Sequence, residues 1–201
     1  MRPDNEIEVL EGLEVIRLRP TMYVGPLSAD TPVCLVEQAL CVSLDHAASG
    51  SCTSIDIELE ADGFIQVRDN GPGLAAWRNP SSGELQFKEL EVLLACKLAK
   101  IHSSVGERYC TAGLAATNAL AEELSIRSVM GGEAWTRDYR LGRPSSAVER
   151  RPSAGVLGTR MRFRLDSTIL PTIRPDASQL AERLSKLQAE FPACRIQLLG
   201  S

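Results

Sequence analysis

The spacing of apolar residues changes abruptly at Gly50, and that change restricts the chain to folds in which a helix feeds directly into a β-hairpin. Before it, Val33, Val36, Leu40, Leu44 and Ala47 recur at steps of three and four, which predicts a helix over 32–48 with one buried face. After it, Ile55, Ile57 and Leu59 alternate with polar residues, Asp62-Gly63 marks a tight turn, and Ile65 and Val67 resume the alternation. The hairpin runs into Asp69-Asn70-Gly71-Pro72-Gly73, whose residue types favour a turn.

Beyond that turn a polar stretch precedes a helical pattern over 85–98, a loop over 103–111 and an alanine-rich helix over 112–123. Strands are expected over 125–130 and 134–141, joined at Gly131-Gly132, and again over 159–165. Asp176 is placed to cap a last helix ending at Glu190, and 195–199 reads as a closing strand. Helices and mainly antiparallel strands in mixed order point to an α/β (α+β) two-layer sandwich with helices on one face of a sheet. The 201 residues, 44% of them hydrophobic, suffice for one core, so a single domain is expected.

The formal net charge of −4 has the wrong sign for a chain whose main task is to neutralise DNA phosphates, so no direct DNA binding is expected. Arg160, Arg162 and Arg164, alternating along one strand, read as a solvated sheet face for the same reason. The six cysteines form no C-x-x-C pair and sit mostly among apolar residues, and His46 and His102 lack ligand spacing to them, so no zinc site is expected. Without a long apolar run or an apolar signal core, the expected location is the cytoplasm, with no membrane partner.

The stretches Ile7-Glu8-Val9-Leu10-Glu11-Gly12-Leu13-Glu14-Val15-Ile16-Arg17 and Arg19-Pro20-Thr21-Met22-Tyr23-Val24-Gly25 supply a longer and more specific signal. With Ala47-Ala48-Ser49-Gly50, Asp69-x-Gly71-x-Gly73, Asn118-Ala119-Leu120 and Gly158-Thr159 in the same order, the chain resembles the ATP-binding domain of the gyrase B and topoisomerase IV B proteins, in the GHKL superfamily. The resemblance runs from about residue 6 to 200 and implies the GHKL (Bergerat) fold, with 1–14 as a short N-terminal arm. The transducer and DNA-cleavage domains of that family have no counterpart in the sequence.

The resemblance implies an adenine pocket formed by Asp69, Gly71, Gly73, Leu74, Gly113 and Thr159, with the Asp69 carboxylate accepting from the adenine amino group. It also implies a site that departs from the family where the phosphates and metal would lie. Gln38 stands at the position of the general-base glutamate and Val42 at that of the Mg²⁺-binding asparagine; a glutamine accepts no proton near neutral pH, and a valine offers a hard cation no oxygen. His46 and Pro72 replace a paired glutamate and arginine, and Glu107-Arg108-Tyr109-Cys110-Thr111-Ala112-Gly113 replaces a glycine-rich lid, keeping only Gly113. Thr136 takes the place of an arginine that contacts aminocoumarins in the family. Glu37, about 100° round the helix from Gln38, reads as a solvated carboxylate. Lys97, Lys100 and Arg108 could offer positive charge to a triphosphate, although lysines flanking an apolar helix are more often solvated ends.

The sequence leaves three readings open. The first is a pseudo-ATPase that binds ATP or another adenine nucleotide without Mg²⁺-dependent hydrolysis, acting as a nucleotide sensor or on a partner such as a gyrase subunit, and more often a monomer than a stable dimer. The second is a working ATPase domain of a topoisomerase B-type protein, with Glu37 or another carboxylate as base. The third is an interaction module with no ligand.

Overall fold

The structure, a computed structural model, describes residues 13–91 and 113–200. The expected arm therefore lies outside the described residues except for Leu13, which is buried, and Glu14, which opens helix α1 (Glu14–Leu18). Short α2 (Thr21–Val24) leads to α3 (Thr31–Ala39) and α4 (Cys41–Ala48). The helix predicted over 32–48 is thus two segments meeting at Leu40, whose backbone stays αR with φ −81° and ψ −13°. Leu40 N–H still donates to Val36 O, and Leu40 O accepts from Leu44 N–H, so one apolar face continues across the junction.

The hairpin forms as expected from β1 (Ser54–Leu59) and β2 (Ile65–Asp69). Its inward residues Ile55, Ile57, Ile65 and Val67 are all buried. Two short strands follow, β3 (Trp77–Arg78) and β4 (Leu85–Gln86), then α5 (Lys88–Glu91). Leu85 and Gln86 were expected to be helical; pairing with Trp77 and Arg78 makes them strand instead. The rest of that predicted helix, the loop at 103–111, and Lys97, Lys100 and Arg108 lie outside the described residues.

Helix α6 (Gly113–Ala119) is wholly buried and stops earlier than its alanine content predicts. The backbone enters β5 (Ala121–Met130), because Ala121–Leu124 pairs with strands on both sides, Ala121 opposite Leu165 and Glu123 between Arg140 and Arg164. There follow β6 (Glu133–Arg140), β7 (Arg143–Pro144), β8 (Glu149–Pro152) and β9 (Gly158–Leu165). Helix α7 (Ala177–Glu190) begins at Asp176, whose carboxylate accepts from Gln179 N–H at 2.8 Å, and buries Leu180, Leu184 and Leu187. The chain then enters β10 (Arg195–Leu199).

The main sheet has eight strands in the order β10-β1-β2-β9-β5-β6-β7, with β8 also paired to β6. Only β10 and β1 run parallel; the other pairings are antiparallel. The core fills the space between one sheet face, with Met161, Phe163, Leu124 and Ile126, and the helical layer, with Ile16, Leu35, Leu44, Leu114 and Leu184. Arg17 ties α1 to that layer, donating to Ala119 O at 2.7 Å and to Asp166 Oδ2 at 2.5 Å. Among the described residues no helix is long and apolar enough to cross a membrane.

Candidate functional site

Asp69 ends β2 beneath α4, and three segments converge on its carboxylate. Oδ1 accepts from Gly71 N–H at 2.9 Å and from Thr159 N–H at 3.2 Å, while Oδ2 accepts from the Ser43 hydroxyl at 2.7 Å. The group is thereby fixed in position while acceptor capacity remains on Oδ2. Next to it on β9, the Thr159 hydroxyl is buried and has no hydrogen-bond partner. A buried hydroxyl left unpaired costs free energy unless something polar meets it, so this corner is suited to a ligand or water with hydrogen-bonding edges.

The turn after Asp69 is pinned from both sides. Asn70 Oδ1 accepts from Thr53 N–H and Ser54 N–H, each at 2.9 Å, and its amide donates to Thr53 Oγ1 at 2.8 Å. Gly73 has φ +84°, and a Cβ there would stand 2.8 Å from both Ser128 Oγ and Val129 O. That contact lets the buried Leu74 donate its N–H to Ser128 Oγ at 2.7 Å, docking the turn on β5. At Gly158 a Cβ would fall 1.9 Å from Asp69 O, so the Gly158-Thr159 approach to Asp69 demands glycine. Gly71 makes room for His46, whose Nδ1 would be 2.9 Å from a Cβ at that position. His46 thus packs on the turn itself, and its buried Nδ1 has no hydrogen-bond partner.

The structure brings Asp69, Gly71, Gly73, Leu74 and Thr159 into this one corner. Gly113 is buried at the start of α6, where a Cβ would lie 3.9 Å from Cys41 Sγ, so it adjoins α4. Sequence reasoning missed Ser43, Asn70 and Ser128, which hold the corner together. Ser43 falls one residue after Val42 in α4, and only the tertiary position of Asp69 reveals its role.

Gln38 and Val42 do not supply the chemistry of a glutamate and an asparagine. Gln38 is 4% exposed and its Oε1 has no partner; Val42 packs against the core and offers no oxygen. The residues therefore fit an adenine ring at the Asp69 end but do not fit a Mg²⁺ ion held at position 42. Among the described residues no group of three or more His, Cys, Asp or Glu side chains is arranged to hold a metal ion.

Glu37 faces the other way. It is half-buried against α7, with Oε1 3.9 Å from Arg183 Nη1, so it is less solvated than its sequence suggests. Burial raises its pKa, against the lowering pull of Arg183 and Lys186. Arg137 is held internally: its guanidinium bonds Glu91, Leu85 O and Ser146 O in a buried cluster that also takes the Tyr139 hydroxyl. Thr136 lies one residue away on the opposite sheet face, beside Arg127 and Glu149.

A mixed, mostly antiparallel sheet, helices on one side, and an aspartate-glycine turn facing a Gly-Thr strand start define a nucleotide-binding fold of the GHKL class. No protein-family model matches the chain. It is 30% identical over 193 residues to the DNA gyrase B protein of Thermotoga maritima, a match covering 95% of this chain and 30% of that protein. It is 32% identical over 181 residues to a novobiocin-resistant DNA gyrase B protein of Streptomyces niveus, covering 89% of this chain and 27% of that protein. In three dimensions it is similar to the 43K ATPase domain of Thermus thermophilus gyrase B, solved with an aminocoumarin. That match has a TM-score of 0.78 at 24% identity and covers 92% of this chain and 48% of the other. The chain is a gyrase-B-like domain of the GHKL superfamily, and it spans about 30% of the length of curated relatives such as the Thermotoga protein.

Proposed function

We propose that this domain binds an adenine nucleotide without hydrolysing it through a bound Mg²⁺, and acts as a nucleotide sensor or by engaging a partner such as a gyrase subunit. The observation that carries this reading is the contrast between the two ends of the pocket. At one end a fixed carboxylate, Asp69, stands beside the unpaired Thr159 hydroxyl. An acceptor there selects a base presenting an amino group, as adenine does, over one presenting a carbonyl at the same place. At the other end a glutamine and a valine stand where proton abstraction and metal ligation would occur, and neither side chain can do that work.

The rival reading, an ATPase using Glu37 as base, loses support from the orientation of that side chain toward Arg183 on α7. The third reading, a module with no ligand, is countered by the unpaired polar atoms of His46 and Thr159, both beside the Asp69 turn. Binding of a fluorescent ATP analogue by the wild-type chain and by D69N, with phosphate release followed on the same samples, tests the proposal. It expects binding that D69N weakens about tenfold or more, the loss of a charged hydrogen bond, with no phosphate released. Turnover by the wild-type chain, or equal binding by D69N, would overturn it.

A further inference from the structure

The helix-free face of the sheet carries a charge arrangement for which the nucleotide pocket has no use. Alternation on β9 sends Arg160, Arg162 and Arg164 to this face, and their neighbours treat them unequally. Arg162 is met by Glu60 at 2.5 Å and Asp62 at 2.8 Å, and Arg164 by Glu122 at 3.3 Å and Glu123 at 3.4 Å. Arg160 has other company. It stands in register with Arg68 on β2 and with Arg127 on β5, so three guanidinium-bearing residues lie directly opposite one another across three adjacent strands.

All three are exposed, and their partners are neutral or distant. Arg160 Nε donates to the Gln66 amide oxygen, Arg127 reaches Ser153 Oγ at 3.5 Å, and Arg68 is 4.0 Å from a Glu58 that is itself 42% exposed. Asp56, across from Arg68 on β1, is taken up by Arg195 and Gln197. Among the described residues no carboxylate is closer to these three guanidinium groups than Glu58 is to Arg68. Like charges directly opposite on a sheet are destabilising, and at the usual strand spacing of about 4.8 Å this row is held in place by the ladder rather than by mutual attraction. A bound anion would relieve it.

The row continues into a cleft of about 220 Å³ whose lining includes Arg127, Thr136, Glu149 and Arg151. Ser153, which touches Arg127, also accepts from Gly155 N–H, and beyond it Val156 and Leu157 are 84% and 50% exposed. Exposed apolar side chains thus follow within four residues of the serine that Arg127 touches.

We propose that this face docks an acidic segment of a partner protein, with carboxylates paired to Arg68, Arg160 and Arg127 and an apolar side chain covering Val156 and Leu157. Guanidinium groups suit carboxylates through paired N–H donors, and a rigid sheet presents them without further ordering cost. The positive zone is one residue row deep, flanked on the same face by Glu58, Glu60, Asp138 and Glu149, on a chain of net charge −4. A long phosphodiester strand would run onto those carboxylates, whereas a short acidic peptide fits between them. The surface serves whether or not the pocket holds nucleotide.

Fluorescence anisotropy with a short labelled peptide of alternating glutamate and leucine tests this, beside a single-stranded DNA of equal charge. The peptide is expected to bind better than the DNA, with affinity falling about tenfold or more in the triple variant R68S/R127S/R160S and unchanged in R183S, which alters the helical side. The triple variant is also expected to melt no lower than wild type, since it removes like-charge repulsion. Equal peptide affinity in the triple variant, preference for the DNA, or a marked fall in melting temperature would each overturn the proposal.

Discussion

The Ser43 hydroxyl donates to Asp69 Oδ2 across 2.7 Å, joining α4 to the end of β2 through the residue proposed to read the nucleobase. Removing that hydroxyl leaves a part-buried carboxylate with only its two backbone donors, Gly71 and Thr159. S43A is therefore expected to cost about 1–2 kcal/mol, the worth of a hydrogen bond to a charged acceptor, read as a lower denaturation midpoint at unchanged m-value.

Gln38 carries a buried amide oxygen with no partner, in a helix whose other buried side chains, apart from Thr31, are apolar. If it has no catalytic duty, an apolar residue of similar shape should serve better. Q38M is expected to stabilise the chain by about 1 kcal/mol in chemical denaturation, with no effect on nucleotide affinity. A loss of stability would mean that the amide oxygen is satisfied in solution.

Glu37 sits where its neutral form is favoured. Burial raises its pKa, with Arg183 and Lys186 opposing, so its contribution to stability is full below the ordinary carboxylate range and is lost as pH rises through the raised value. At neutral pH, E37Q is expected to raise the melting temperature and to leave phosphate release at background. The advantage of E37Q should vanish in acid.

Asp166 behaves in the opposite sense. Burial of its carboxyl opposes ionisation, but hydrogen bonds from Thr168 and Arg17 outweigh that effect and hold its pKa below the usual value. Its stabilisation is present above the unfolded value, near pH ~4, and is lost as pH falls through the folded value. D166N is expected to cost about 2–3 kcal/mol at neutral pH, the upper range for hydrogen bonds to charged groups, and to flatten the fall in melting temperature below about pH 4.

Much of this architecture is legible in the sequence because local pattern and tertiary need coincide. Ile55 to Val67 alternate in and out as the hairpin requires, and Asp176 announces α7 by its capping chemistry. The failures have physical causes. Ala121 to Glu123 read as helix, and pairing with β6 and β9 makes them strand. Strands β3, β4, β7 and β8 are too short, or too rich in Arg and Pro, to show a period. Arg137 shares its alternation with Trp135 and Tyr139, yet nothing local says that Glu91 waits to pair it in the interior. Of the site, the turn and Thr159 are visible as motif. Ser43, Ser128 and the Arg68-Arg160-Arg127 row depend on register between distant strands and helices, which no local pattern encodes.

If the adenine end of the pocket persists without the metal end, nucleotide binding must be indifferent to Mg²⁺, and calorimetric titration with ATP in its presence and absence decides the matter. One-site binding of equal affinity in both conditions, with no phosphate released, is the predicted result. Binding that requires Mg²⁺ and is followed by phosphate release would be incompatible with it, and would return Gln38 or another side chain to the chemistry.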